Sequence, residues 1–325
     1  MAVVVCVLCV FLLPVVVCES SRIQWSAGNS SGTSISVSTS DGTYSVSYRG
    51  SLWFKSSATS LLVDGAMRSS SDRSLVLTSY NVIRKAFDKG FGEYTALELN
   101  WSLPTELSTG TEELSLTNNS GVIWSTTFKA FDNGKTLAFT QHFPHGIPKF
   151  SINTTASASK DCSTIKGEGG CWCKPGSSFP SLDLTTGKIQ SVGFINYGEI
   201  GRTTRGTNWS QYRETKSGPD GVPLAMLDKT TGTVMLLSPS AGFFDTVVDK
   251  VADTLRCGVI GSAKAIPIGF STEIILHFDQ GMTKTVMGWG DGMLRKYGKQ
   301  RAAPDVNIQV CTIFIFVCVR SRLQI

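Results

Sequence analysis

The chain has 325 residues, of which 17% are charged, and a formal net charge of +5. This mild positive excess comes without runs of lysine or arginine, so the composition does not indicate a nucleic-acid partner. A dominant hydrophobic period of two residues and 32 glycines argue against a helical bundle and predict an all-β protein with large antiparallel sheets packed face to face.

Residues 1–18 form an apolar run, MAVVVCVLCVFLLPVVVC, that ends just before Glu19. This pattern predicts a signal peptide and therefore a secreted, extracellular protein. A membrane anchor is the alternative, but a span needs roughly 20 apolar residues, and no stable membrane span is expected. Five Asn-x-Ser/Thr sequons behind the signal predict a glycoprotein whose acceptor asparagines lie on surface turns. They are Asn29, Asn100, Asn118, Asn153 and Asn208.

Asp-Gly and Asn-Gly dipeptides punctuate the alternating segments that follow the signal. Ile35 and Val37 precede a turn at residues 41–42, after which Tyr44, Val46 and Tyr48 alternate again. The same reading predicts strands at residues 94–101, a hairpin around residues 133–134, a hairpin around residues 231–232, and a strand at 269–278. Between them, residues 157–191 are expected to form a long loop pinned by cysteines.

Four cysteines outside the signal and the C-terminal tail predict disulfides in an oxidising compartment. We expect Cys162 to pair with Cys171 or Cys173, and Cys257 to pair with the other of these two. A zinc site is the alternative, but it lacks a Cys-x2-Cys spacing and a nearby histidine, so no metal is expected. Trp172 lies between two of these cysteines. It is either a rigid surface for stacking a sugar ring or a plug over the core of its own loop.

A search for catalytic motifs yields no catalytic residue and no cofactor. The sequence has no Gly-x-Ser-x-Gly elbow, no phosphate-binding loop and no dinucleotide fingerprint. His142 and His145 flank Pro144 and are most simply explained by a turn. The sequence thus describes a β-sandwich without a visible catalytic set.

A helix is predicted near the C-terminus, because Met282, Val286, Trp289, Met293 and Tyr297 recur at steps of three and four. Basic residues follow at its end, Gly298 is placed to cap it, and Pro304 stops its continuation. Three glycines, at positions 288, 290 and 292, weaken the helix by roughly 1 kcal/mol each, so it needs a neighbour to pack against. It is either a closing helix of the sandwich or a connector to a second domain.

Four segments resemble a family of secreted eukaryotic proteins related to glycoside hydrolases of the α-galactosidase and raffinose-synthase type. They are KGFGEYTALELNW (89–101), GVPLAMLDKTTGTVMLLSPSAGFF (221–244), CGVIGSAKAIPIGFSTEIIL (257–276) and WGDGMLRKYGK (289–299). The resemblance implies a galactose-mutarotase-like β-supersandwich at 19–280 and a linker helix at 281–303, followed in that family by a catalytic (β/α)8 barrel. It also implies inter-domain packing through Val286, Trp289, Met293 and Tyr297.

Residues 304–325 do not match the start of a barrel, and we expect a disordered or aberrant tail there, from read-through past an exon boundary or from a truncated isoform. Because catalytic carboxylates of such enzymes lie on the barrel, the resemblance transfers no catalytic residue. It implies a non-catalytic portion of a glycoside-hydrolase-like protein, whose partner is the barrel of the full-length protein. The alternative is a stand-alone, lectin-like sandwich that binds carbohydrate through Trp172.

Overall fold

A computed structural model describes residues 24–104, 121–150, 175–184, 189–196, 199–206, 223–242, 245–251, 253–261 and 263–300. Several predicted features lie outside these residues: the signal at 1–18, the tail at 304–325, Cys162, Cys171, Cys173, Trp172, Asn118, Asn153 and Asn208.

Nineteen strands and a C-terminal helix make up the described chain. In order they are β1 (Gln24–Gly28), β2 (Thr33–Ser38), β3 (Tyr44–Tyr48), β4 (Ser51–Ser56), β5 (Ser60–Val63), β6 (Ala66–Ser69), β7 (Val76–Asp88), β8 (Gly92–Ser102), β9 (Trp124–Phe131), β10 (Thr136–Phe143), β11 (Ser177–Ser178), β12 (Ser181–Leu184), β13 (Ile189–Asn196), β14 (Glu199–Gly206), β15 (Leu224–Asp228), β16 (Thr233–Ala241), β17 (Thr246–Val251), β18 (Thr254–Val259), β19 (Phe270–Gln280) and α1 (Met282–Tyr297).

The strands form two large antiparallel sheets, which confirms the predicted all-β fold class. One sheet has seven strands in the order β1-β2-β3-β4-β12-β18-β17, and the other has nine in the order β14-β13-β15-β16-β19-β10-β9-β8-β7. A small third sheet has the order β11-β5-β6. The long central strand β19 lies between β16 and β10 and leads directly into α1.

The hairpins follow the predicted alternation. In β2 and β3, Ile35, Val37, Tyr44 and Val46 are buried, while the serines between them are half-buried on the opposite face. Gly42 in the connecting turn has φ 71°, a left-handed conformation that glycine adopts without steric cost. The predicted hairpins β9–β10 and β15–β16 are also present.

Aromatic side chains fill the space between the two large sheets. Tyr44 of the seven-stranded sheet packs edge-on against Phe128 of the nine-stranded sheet, with ring centroids 5.0 Å apart. Tyr48 stacks on Phe278 at the same centroid distance. The Tyr44 hydroxyl donates to the Ser181 carbonyl at 3.0 Å and accepts from the Ser181 N–H at 2.8 Å, so this buried polar group is satisfied.

The predicted loop at 157–191 is wrong in its second half. Residues 177–178 form β11, residues 181–184 form β12, and β13 begins at residue 189. β12 inserts between β4 and β18 and completes the seven-stranded sheet. Strands of two and four residues are too short to show a period in the sequence, and only their pairing with distant strands reveals them.

The predicted helix is present, but it ends at Tyr297 rather than at 303. Gly298 has φ 62° and its N–H donates to the Arg295 carbonyl at 3.1 Å, while the Lys299 N–H donates to the Leu294 carbonyl at 2.8 Å. This left-handed cap satisfies two carbonyls of the last turn, as expected for a C-terminal glycine.

α1 lies on the outer face of the nine-stranded sheet, and the side of the helix that contacts the sheet carries two glycines. A Cβ atom on Gly288 would lie 2.6 Å from His277 Nε2, and one on Gly292 would lie 2.2 Å from Phe91 Cε1. Thr285, one turn earlier on the same face, is fully buried and donates to the Gly281 carbonyl at 2.9 Å. The helix therefore approaches the sheet more closely than any larger residue would allow.

We predict that Gly288→Ala and Gly292→Ala each lower the free energy of unfolding by about 1–3 kcal/mol, because overpacking outweighs the better helix propensity of alanine. Gly290→Ala is the matched control, since Gly290 lines the side of α1 that faces away from the sheet. That variant should gain up to about 1 kcal/mol. Urea unfolding of the three variants would contradict this packing if all three became more stable.

Candidate functional site

The side of α1 that faces away from the sheet forms an open groove of about 650 Å³. We call it the α1 groove. It is lined by Val286, Met287, Trp289, Gly290, Met293, Leu294, Tyr297 and Lys299. Seven of these eight residues carry no charge. An apolar concavity of this size on a protein surface is typical of a binding or packing face.

The structure brings the four predicted packing residues together in this groove. Val286 and Trp289 are half-buried, and Tyr297 is half exposed. Met293 also reaches the sheet, where it packs on a small apolar cluster of Phe91, Phe131, Ala138 and Ile275. The Trp289 indole N–H is buried and has no hydrogen-bond acceptor among the described residues. Their predicted partner, a second domain, is not tested by this geometry.

A buried charge cluster fastens the other side of α1 to the sheet. Glu273 on β19 binds Lys129 Nζ through Oε2 at 2.6 Å and Lys296 Nζ through Oε1 at 2.7 Å. Lys296 also binds Asp88 Oδ2 at 3.0 Å. The hydroxyls of Thr140 and Ser240 donate to the two Glu273 oxygens, Thr140 at 2.9 Å. Both carboxylate oxygens of Glu273 are therefore bonded to other groups of the protein.

The β7–β8 turn completes this attachment. Asp88 Oδ1 accepts the N–H of Gly90 at 2.8 Å and that of Phe91 at 3.1 Å, which shapes the turn beneath α1. Arg295 Nε donates to the Gly90 carbonyl at 3.0 Å, and the Tyr297 hydroxyl donates to the Ser240 carbonyl. The last turn of α1 is thus held by hydrogen bonds from two sides.

Electrostatics keep Glu273 ionised. Burial alone would raise the pKa of Glu273, but Lys129 and Lys296 outweigh burial and hold the pKa at about 2. Burial would likewise lower the pKa of Lys296, yet Glu273 and Asp88 raise it. A general acid needs a raised carboxyl pKa, whereas the two lysines lower that of Glu273.

His277 lies under the first half of α1 and is buried. Asn133 Nδ2 donates to Thr136 Oγ1 at 3.1 Å, and Thr136 Oγ1 lies 3.0 Å from His277 Nδ1. Nε2 has no hydrogen-bond partner among the described residues and faces Gly288. Burial lowers the pKa of His277 to about 4; Asp279 opposes this shift and Lys135 adds to it.

Three other predicted site residues lie within the described chain. Asn29 is exposed in the turn between β1 and β2. Asn100 lies within β8 rather than in a turn, where Nδ2 donates to Ser79 Oγ at 3.0 Å and Oδ1 accepts from Ser125 Oγ at 2.7 Å. Cys257 is buried on β18. Glycosylation of these asparagines and a disulfide at Cys257 stay predictions.

A second groove, of about 510 Å³, lies between β1 and the edge of the nine-stranded sheet. Its lining is mixed, and includes Trp25, Arg84 and Asp132 beside Asn29. A glycan on Asn29, if present, would stand at the rim of this groove. The lining of the α1 groove is more uniformly apolar than that of this second groove.

Within the described residues, no helix has the length and apolar character required to cross a bilayer.

Sequence reasoning missed the residues beneath α1. Glu273 had a recognisable signal, because it interrupts an apolar strand and a buried carboxylate requires a partner. Its partners Lys129 and Lys296 are more than 20 residues away in sequence on different elements, and spacing does not reveal them. The packing function of Gly288 and Gly292 was likewise hidden behind their cost in helix propensity.

We predict that Glu273→Gln lowers the free energy of unfolding by about 3 kcal/mol, because it leaves two lysines beneath α1 without their shared anion. Glu93→Gln is the matched control. Glu93 pairs with Lys85, whose side chain is 73% exposed, and its loss should have no measurable effect. Equal effects of the two substitutions on chemical unfolding would contradict a structural cluster.

We predict a second, pH-dependent loss of stability through His277. The unfolded histidine binds a proton near pH 6.5 and the folded one only near pH 4, so between these values the unfolded state holds more protons. Stability should therefore fall as the pH drops from 6.5 to 4, by up to about 3 kcal/mol. His277→Asn should remove this slope, with its packing cost measured separately at pH 8. An unchanged slope in unfolding curves across pH 4–7 would assign the effect elsewhere.

No family model matches the sequence, and no curated protein matches it. Among solved structures, an α-galactosidase from Lactobacillus brevis is 9% identical, with 85% of this chain and 42% of that chain covered at a TM-score of 0.47. A variant GH36 α-galactosidase from Geobacillus stearothermophilus in complex with raffinose is 13% identical. The match covers 71% of this chain and 31% of that chain, with a TM-score of 0.40. An Escherichia coli protein assigned as an aldose 1-epimerase is 8% identical. The match covers 79% of this chain and 99% of that chain, with a TM-score of 0.35.

The chain thus spans less than half the length of the α-galactosidases to which it is similar. At TM-scores under 0.5 these similarities carry no argument about activity or substrate. The assignment as a large two-sheet antiparallel sandwich rests on the strand pairing of this chain itself.

Proposed function

We propose that this chain is the non-catalytic β-sandwich portion of a secreted glycoside-hydrolase-like protein, and that the α1 groove is the face on which another part of that protein packs. The observation that carries the proposal is the orientation of α1. Its glycine face is buried on the sheet, while Trp289, Met287 and Leu294 line an open apolar groove on the other side.

The groove supports a packing role because its lining is mostly apolar, and apolar side chains are stabilised by contact with other protein atoms rather than with water. A helix that only closed the sandwich would direct its large apolar side chains at the sheet and its small or charged ones outward. On α1, Thr285, Gly288 and Gly292 face the sheet. Met287, Trp289 and Leu294 instead line the groove on the other side. The sequence resemblance at 289–299 to the linker helix of glycoside-hydrolase-like proteins adds the kind of partner, a catalytic barrel.

The carboxylates beneath α1 support a non-catalytic role. Glycosidases use two carboxyl groups that flank the glycosidic bond, one of them with a raised pKa. Glu273 has a lowered pKa, and both Glu273 and Asp88 use both of their oxygens in contacts that shape or hold α1. Neither is free to approach a sugar.

The proposal is tested on the full chain, produced in a secreting eukaryotic host, with two readouts. First, it should show no turnover of aryl α- or β-galactosides, and measurable hydrolysis would refute the non-catalytic role. Second, in a longer protein that carries the sandwich together with the proposed barrel, Met287→Asp should lower the free energy of unfolding by about 2 kcal/mol or more, because it buries an unpaired charge. Met287 is 45% exposed.

Ile268→Asp is the matched control for the second readout. Ile268 is 81% exposed in the connection before β19 and is not among the residues that line the α1 groove. An exposed substitution of this kind should change stability by no more than about 0.5 kcal/mol. If Met287→Asp were equally harmless in the protein that carries the proposed barrel, the α1 groove would be an ordinary solvent-facing surface, and the packing role would be wrong.

A further inference from the structure

We infer that β7 is a self-association edge, at which two copies of this chain pair their nine-stranded sheets in antiparallel register about a two-fold axis at Asn81. The inference does not rest on the proposed function, because no residue of β7 lines the α1 groove. It gives a partner to apolar side chains that the sandwich covers only in part.

β7 extends past the region where the two large sheets face each other. Among the strands that the structure describes, it pairs with β8 alone and ends the nine-stranded sheet. Tyr80 and Val82 lie opposite two leucines of the main core on β8, so their side chains project from the same face. Those leucines are fully buried, whereas Tyr80 is 44% exposed and Val82 is 41% exposed. β7 therefore offers apolar side chains beside a row of backbone groups that no described strand pairs with.

Two β-bulges divide β7 and leave a regular stretch between them. Thr78 is the extra residue of the first bulge, and Arg84 and Lys85 form the second. Bulges commonly protect an edge strand because they twist it away from other chains. The stretch between these two, residues 79–83, is nevertheless regular, and about five residues is the length of an ordinary strand. Asn81 is its central residue, so a two-fold axis there sets the regular stretch of one copy against that of the other.

The resulting register is self-complementary. On the core-facing side, Tyr80 of each copy lies opposite Val82 of the other, and pairs of aromatic and β-branched residues stabilise antiparallel sheets. Beyond the regular stretch, the basic residues Arg84 and Lys85 lie opposite uncharged residues, so no like charges face each other. Lys85 is also neutralised by Glu93 of its own chain, at 2.9 Å. β7 thus matches itself, which favours a second copy of the chain over an unrelated partner.

The sandwich leaves room for this arrangement. An antiparallel pair requires a two-fold axis perpendicular to the sheet, which places both seven-stranded sheets on the same side of the joined sheet. The seven-stranded sheet ends at β1, which contacts β8 and β9, so in each copy it stops short of the joining strands. Pairing through the free edge of β1 would instead drive the two nine-stranded sheets into each other, because both overhang β1.

The contact is small, so the association should be weak. Five paired residues on each strand exchange about four to six backbone hydrogen bonds, which is near the lower limit for a specific interface. Contacts of limited area form weak or transient complexes, and the dimer should dissociate on dilution. A covalent trap at the axis is therefore the most direct test.

The first test is disulfide trapping in the full chain. In the inferred register the two Asn81 residues lie directly opposite each other, with Cα atoms about 4.5–5.5 Å apart, a separation that a disulfide spans. Asn81→Cys should therefore give a reducible covalent dimer under mild oxidation. Ser79→Cys is the matched control, on the same face and also exposed. Its two positions are about 14 Å apart in the dimer, so it should form no cross-link. The native cysteines are common to both variants.

The second test measures the oligomeric state by sedimentation equilibrium as the protein concentration rises. The unaltered chain should change from monomer to dimer. Val82→Lys should weaken dimerisation about tenfold or more, because it places a charge among the core-facing side chains where the two copies meet. Ile268→Lys, at an exposed position outside β7, is the matched control and should leave the dissociation constant unchanged. Met287→Asp, in the α1 groove, should also leave it unchanged.

The outcomes separate this inference from the proposed function. A chain that stays monomeric at every concentration, or equal cross-linking of the two cysteine variants, would overturn the inference without bearing on the packing role of the α1 groove. A dimer in which Asn81→Cys forms no cross-link would place the interface elsewhere and would overturn it too. Dimerisation that survives Val82→Lys and is lost in Met287→Asp would show that the copies meet at the α1 groove, again contrary to the inference.

Discussion

The close approach between the α1 backbone and the nine-stranded sheet is the constraint on which the rest of the outer face depends. Gly288 and Gly292 lie four residues apart on the side that meets His277 and Phe91. Because neither position has room for a Cβ atom, the helix backbone makes the close contact there, and Met287, Trp289 and Leu294 line the opposite side. The apolar groove is thus a geometric consequence of how the helix is seated.

The charge cluster fixes how far along the sheet the helix sits. Thr285, Gly288, Gly292 and Lys296 follow one another at steps of three and four, so they share one face of α1. The first three bring the backbone close, and Lys296 then reaches both Glu273 and Asp88. A helix shifted by one turn would bury Glu273 without its second lysine, at a cost larger than any gain in apolar contact.

Local patterns in the sequence were sufficient for the hairpins and for the existence of α1. Alternation around Gly42 predicted β2 and β3, and Gly298 predicted the end of the helix, because both depend on residues close in sequence. Apolar periodicity also identified four residues of the α1 groove, Val286, Trp289, Met293 and Tyr297, but not which way they face. That direction depends on His277 and Phe91, which lie outside the helix, so only the fold decides it.

Dependence on residues distant in sequence also explains why sequence reasoning missed β11, β12 and the charge cluster beneath α1. β12 is four residues long and exists because β4 and β18 lie on either side of it. Asn100 was expected in a turn because sequons are common there, yet it lies in the middle of β8 with both neighbouring strands bonded to its amide. In each case a partner distant in sequence decides the outcome, and neither spacing nor composition contains that information.

β19 connects the groove to the core of the sandwich. Its inward side chains, Ile274 and Leu276, belong to the main core, while Glu273 and His277 on the other face receive α1. The main core lies on the far side of the sheet from the helix. Local opening should therefore loosen α1 first and leave the strands paired, since it follows the weaker contacts.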